Sequence, residues 1–127
     1  MSSPQLDRMG RMFTMPGGSR EAVTSATATF TASTTEATVL AAGGAGVFHD
    51  VVLIVVANTS AATATRVDIR ATTGGTVIAS VNVVGGATAV LPFSVPLSQP
   101  AADAAWTAQC SVSTTDVRVF ITAVKAF

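Results

Sequence analysis

His49 is the only histidine in the chain, and it stands beside Asp50. Imidazole is the side chain best suited to moving protons near neutral pH, so a serine–histidine–aspartate relay would have to run through His49. The spacing argues against one. Neighbours on a strand point to opposite faces, and Asp50 would not orient the ring beside it. A polar residue at the mouth of a strand is the ordinary account of His49. Cys110 is the only cysteine, which excludes an intramolecular disulfide and a cysteine-based metal site. In register with Trp106 and Ala108, it reads as a small buried hydrophobe. The acids Asp7, Glu21, Glu36, Asp50, Asp68, Asp103 and Asp116 are scattered, with no calcium-loop spacing and no carboxylate pair suggested by proximity. Gly43-Gly44-Ala45-Gly46 lacks the Lys-Ser/Thr and the following helix that a phosphate cradle needs. The residues therefore predict no catalytic group, no cofactor and no metal.

The remaining chemistry-bearing residues suggest contact. Arg66 and Arg70 flank Asp68 at alternate positions, which reads as an ion-pair strip on the surface or between subunits. Trp106 would offer a carbohydrate platform if exposed, but its stripe with Ala108, Cys110 and Val112 favours the core. One Lys, six Arg, no Tyr and a formal net charge of zero give no platform for nucleic acid and no attraction to an acidic membrane. No secretory signal is visible at the N-terminus, which points to cytoplasmic synthesis.

Elements that could position these residues follow from composition and periodicity. The chain has 127 residues, enough for one domain, with 49% apolar and only 11% charged residues. A polar surface built from Thr, Ser and Asn suits sheets better than helices. The centre is Val51-Val52-Leu53-Ile54-Val55-Val56, a run too short to span a membrane. Its β-branched residues and flanking turn signals make it a strand. Simple alternation puts Val51, Leu53 and Val55 on one face and Val52, Ile54 and Val56 on the other. Both faces are apolar and need cover. The face carrying Val52, Ile54 and Val56, extended by Phe120 and Val124, is expected to be covered either by a loop or the N-terminal segment of the same chain or by another copy, which would make it the subunit interface. Around this run fall short strands near 22–32, 36–42, 66–70, 76–83, 87–95, 106–112 and 116–125. Gly74-Gly75 supplies a hairpin turn, Gly85-Gly86 a second tight turn, and Pro96 to Pro100 a cross-over. Leu91, Phe93 and Val95 share a face, and Pro92 implies an edge position or a bulge. About eight strands describe an all-β, antiparallel β-sandwich or jelly-roll-like domain over 22–127.

Residues 1–21 read differently. All four Met lie there, with Pro4, Pro16 and paired glycines and no period-2 pattern. The segment is expected to be a flexible arm, with Met9, Met12, Phe13 and Met15 contacting a neighbour.

From Thr38-Val39-Leu40-Ala41-Ala42-Gly43-Gly44-Ala45-Gly46 through Asn58-Thr59-Ser60, Thr73-Gly74-Gly75-Thr76-Val77-Ile78, Gly85-Gly86, Leu91-Pro92-Phe93, Pro96-Leu97 and Ala105-Trp106-Thr107-Ala108, the chain resembles small β-sandwich virion proteins of tailed bacteriophages. The resemblance covers about residues 37–124, and its motifs are turns and core positions. It implies a non-enzymatic head decoration or cement protein, located in the virion. The implied partners are further copies of the chain, a trimer among the options, and the major capsid protein or another virion component. Nucleic acid and membrane are not among them. The alternative is a carbohydrate- or receptor-binding module of a tail or fibre.

Overall fold

The computed structural model describes residues 22–113 and 116–127. The arm, with Met9, Met12, Phe13 and Met15 of the expected interface, lies outside the described residues.

Eight strands follow one another: β1 (Val23–Phe30), β2 (Ala37–Leu40), β3 (Phe48–Asn58), β4 (Thr65–Arg70), β5 (Val77–Val83), β6 (Thr88–Leu97), β7 (Trp106–Cys110) and β8 (Val117–Ala126). They form two four-stranded antiparallel sheets, ordered β1-β8-β3-β6 and β2-β7-β4-β5. The first strand pairs with the last, the second with the seventh, the third with the sixth and the fourth with the fifth. The chain is thus doubled back at the β4–β5 hairpin and rolled up, which is jelly-roll winding. Among the described strands only β4–β5 is a local hairpin, and Gly74 supplies its positive φ of 71°. The Gly85-Gly86 turn instead carries the chain from one sheet to the other. A side chain at Gly85 would meet the backbone of Ala62 at 2.8 Å, so glycine is required where the loops cross.

The core lies between the sheets. Val51, Ile54, Val56, Val117, Val119 and Ile121 from one sheet face Val67, Ile69, Trp106 and Ala108 from the other, all fully buried. β3 does not alternate simply. Its register against β8 shifts between Val51 and Leu53, so Val52 is an extra residue opposite a continuous β8. Such a bulge reverses the parity of everything beyond it. His49 and Val51 point inward before the bulge; Ile54, Val56 and Asn58 point inward after it. Ile54 and Val56 are therefore core residues, not surface, while Leu53 and Val55 belong to the outer face.

Two further expectations are corrected in the same way. On β6 the register against β3 jumps from Leu97 to Pro92 while β3 advances only from Val51 to Leu53, a wide bulge that holds Pro96. It throws Val95 out to 79% exposure, although Leu91 and Phe93 do pack against the core. Val112 lies beyond the end of β7 and is 43% exposed, so the inward stripe stops at Cys110.

Candidate interaction surface

The outer face of the β1-β8-β3-β6 sheet is assembled by register. Val55 on β3 lies opposite Phe120 on β8 and Val90 on β6, and Thr27 on β1 lies opposite Phe120. The next row runs Ser25, Thr122, Leu53 and Pro92. Beyond it Val23 and Val124 lie opposite Asp50, and on the other side Thr29, Arg118, Ala57 and Thr88 form the last row. Between Asp50 and Arg118 the face carries no charge. Asp50 itself is tied down, accepting a hydrogen bond from the Gln99 backbone N–H at 3.0 Å. Val52, Leu53, Val55, Phe120 and Val124 are half-buried, and Val90 is 58% exposed. An antiparallel sheet facing water normally alternates apolar and polar residues. Here Val55, Phe120, Val90, Leu53 and Pro92 point outward beside Thr27, Ser25 and Thr122, with no charge among them. Covering a side chain as open as Val90 would gain about 1 kcal/mol.

Arg66, Asp68 and Arg70 occupy the outer face of the other sheet, and their groups are engaged within the chain. Arg66 Nε donates to Asp68 Oδ1 at 2.9 Å and its Nη2 to Oδ2 at 3.2 Å. Ser80 Oγ donates to the same carboxylate at 2.7 Å. Burial pushes the Asp68 carboxyl up, but these hydrogen bonds and the nearby guanidinium charges outweigh it and hold the group below the usual carboxylate range. Arg70 donates to the Gly75 carbonyl at 2.9 Å and to Gln109 Oε1 at 2.8 Å. Glu36 accepts from Thr107 Oγ1 and from the Gly74 N–H, and these bonds, the Thr107 one foremost, lower its pKa. Each of these polar groups thus has a partner on a neighbouring strand or turn.

The candidate chemical residues lie inside. Trp106 is fully buried and donates its indole N–H to the His49 carbonyl at 2.7 Å, which removes it as a carbohydrate platform. The Cys110 thiol is buried and its pKa is raised by that burial, so it is not poised as a nucleophile. His49 is 3% exposed, and neither ring nitrogen has a hydrogen-bond partner among the described residues. Desolvation, followed by the charge of Lys125, lowers its pKa against the opposing pull of Asp50, so the ring is neutral. Among the described residues no group of three or more His, Cys, Asp and Glu is arranged to hold a metal ion, and no helix is long and apolar enough to cross a membrane.

Two residues that sequence reasoning passed over hold the ends of the sandwich. Gln99 is buried in the cross-over; its Oε1 accepts from the His49 N–H at 2.8 Å and its Nε2 donates to the Ala71 and Ala104 carbonyls. One amide thereby links β3, the end of β4 and the loop before β7. At the opposite end Asn58 Nδ2 donates to the Thr63 and Val83 carbonyls, and its Oδ1 accepts from the Ser60 N–H. The only hint in the sequence is an amide among residues that otherwise read as turn.

Compared with known proteins, the chain matches no protein-family model, and no curated protein matches it in sequence. It is an all-β sandwich in which one outer face is laced by its own hydrogen bonds and the other carries apolar and hydroxyl side chains with no charge between Asp50 and Arg118.

Proposed function

We propose that this chain is a non-enzymatic structural subunit of a tailed-phage virion, a capsid decoration or cement protein that self-associates and attaches to the head. The apolar outer face of the β1-β8-β3-β6 sheet carries this reading, with Phe120, Val55 and Val90 in one row and no charge between Asp50 and Arg118. A monomer would leave that surface in water, whereas burial against a lattice or a second copy uses it. The virion context rests on the resemblance of the turn and core motifs to those of small phage β-sandwich proteins. Jelly-roll winding is compatible with it but also serves lectins and cupins, so the fold alone assigns no task. The alternative of a glycan-binding tail module loses its one aromatic candidate, because Trp106 is in the core.

Co-sedimentation of the full chain with phage heads assembled from the capsid protein of the same genome tests the proposal. Wild-type protein is expected to sediment with heads, and Val90→Lys, a change at an exposed position, to release it. A chain that stays in the supernatant and runs as a monomer would overturn the proposal.

A further inference from the structure

His49 is bonded through its backbone and not through its ring. Its N–H donates to Gln99 Oε1 at 2.8 Å, and its carbonyl accepts from Trp106 Nε1 at 2.7 Å. The ring is buried, with Nδ1 and Nε2 both lacking a hydrogen-bond partner among the described residues. A buried polar atom without a partner carries a desolvation cost that an apolar side chain in the same place would avoid. The main chain at His49 is therefore fixed, and the imidazole is the part free to leave.

What separates the ring from water is the loop between β2 and β3. Gly43, itself exposed, lies directly over it: a Cβ there would stand 2.8 Å from Nε2 and 3.1 Å from Cε1. Glycine is what lets the loop close this far. None of residues 41–47 is buried, so the cover has no apolar anchor. Polar bonds hold it instead. Gly44 N–H donates to Asp103 Oδ1 at 3.1 Å, Asp103 N–H to the Val47 carbonyl at 2.9 Å, and Val47 N–H to the Gly44 carbonyl at 3.1 Å. The charged groups around the ring are Lys125, its register partner on β8, Asp50 beside it on β3, and Asp103 in the loop before β7. Lys125 repels an imidazolium. Asp50 accepts from the Gln99 N–H and Asp103 from the Gly44 N–H, and neither carboxylate is bonded to the ring. Gln99 and Trp106 are neutral. A charged ring thus has no bonded counter-ion inside.

We propose that His49 is an acid-operated latch: a proton taken from solvent onto its imidazole drives the ring into water and lifts the cover of residues 43–47, while both sheets stay paired. Lifting the cover breaks only loop bonds that water can replace, whereas exposing the ring by parting the sheets would uncover the core. The latch does not depend on the proposed virion role.

Amide hydrogen exchange of the full chain from about pH 7.5 down to about pH 5.5, corrected for intrinsic rates, tests it. Opening at the Gly44, Val47 and Asp103 N–H groups should rise about tenfold per pH unit below about 6.5, the ordinary imidazole value. Ile54 and Ile121 should remain more protected than these three throughout. His49→Leu should make the loop amides insensitive to pH over this range. Gly43→Ala, which sets a Cβ against the ring, should open the cover at neutral pH and let His49 titrate by NMR near about 6.5. Circular dichroism establishes that each variant is folded. Loop and core amides opening to one common extent would overturn the proposal, since acid would then be unfolding the whole domain. A pH response that survives in His49→Leu would overturn it too, as would a ring that titrates in Gly43→Ala as it does in wild type.

Discussion

The two outer faces of this sandwich are built from the same strand geometry and do opposite things. On the β2-β7-β4-β5 sheet, Asp68 takes three hydrogen bonds from Arg66 and Ser80, and Arg70 and Gln109 bridge to the Gly75 carbonyl, to each other and to the loop before β2. On the β1-β8-β3-β6 sheet the corresponding positions hold Leu53, Val55, Phe120 and Val90. The first face satisfies itself within one chain. The second sets Val55, Phe120, Val90 and Leu53 outward among Thr and Ser side chains, apolar surface that water covers poorly. The charged strip of Arg66, Asp68 and Arg70 is engaged by hydrogen bonds within its own chain, whereas the rows of Val55 and Leu53 on the other face hold no charged group.

The sharpest way to break this comparison is to remove the centre of the polar face. Asp68→Ala removes a buried carboxylate that takes three hydrogen bonds, but leaves its donors Arg66 and Ser80 exposed to water, and is expected to cost about 1 kcal/mol in chemical denaturation, with no change in association. A smaller loss would mean the network is solvated after all.

Acid separates the faces next. Asp68 and Glu36 have folded pKa values below their unfolded ones, so their contribution is present at neutral pH and is lost as pH falls below about 4 and through the folded values. His49 acts earlier and beneath both faces. Its folded pKa is also lowered, so below about 6.5 the unfolded chain binds a proton that the native chain refuses, and stability falls until the native ring protonates. Lys125 opposes that protonation and Asp50 favours it. Denaturation midpoints followed downward from neutral pH should drop in two stages; His49→Leu should abolish the first and leave the second. A single stage near pH 4 in wild type would show that His49 finds a partner or opens to water.

The smallest effect is expected on the apolar face. Val55→Thr changes a half-buried outward position and should shift stability by less than about 0.5 kcal/mol while weakening association with heads. A large stability loss would show that this face is already covered by the chain itself.

How much of this was legible depends on the element. The strand-rich class, the Gly74-Gly75 hairpin and the cross-over at Pro96 to Pro100 follow from β-branched runs and turn residues, which act locally. The parity of β3 beyond Val52 does not, because a bulge inserts one residue without changing the apolar run that signals the strand, and nothing in six consecutive apolar residues marks the extra one. That one residue moved Ile54 and Val56 into the core and Leu53 and Val55 onto the surface. The bulge in β6 was partly foreshadowed by Pro92, but its width, and the exposure of Val95 that comes with it, depend on where β3 lies.

By itself, the amino-acid sequence determined that the chain forms an antiparallel all-β domain with two-sided apolar strands and turns at its glycine pairs. Those properties depend on side-chain shape and backbone torsion over a few residues. The tertiary structure decided which side of β3 is core, that Trp106 and His49 lie inside, that Gln99 and Asn58 tie the ends together, and that the Arg66–Asp68–Arg70 strip is spent within its own chain. Each of these rests on pairing between strands far apart in the chain, and register across a jelly roll is set by long-range packing that no local window of residues encodes.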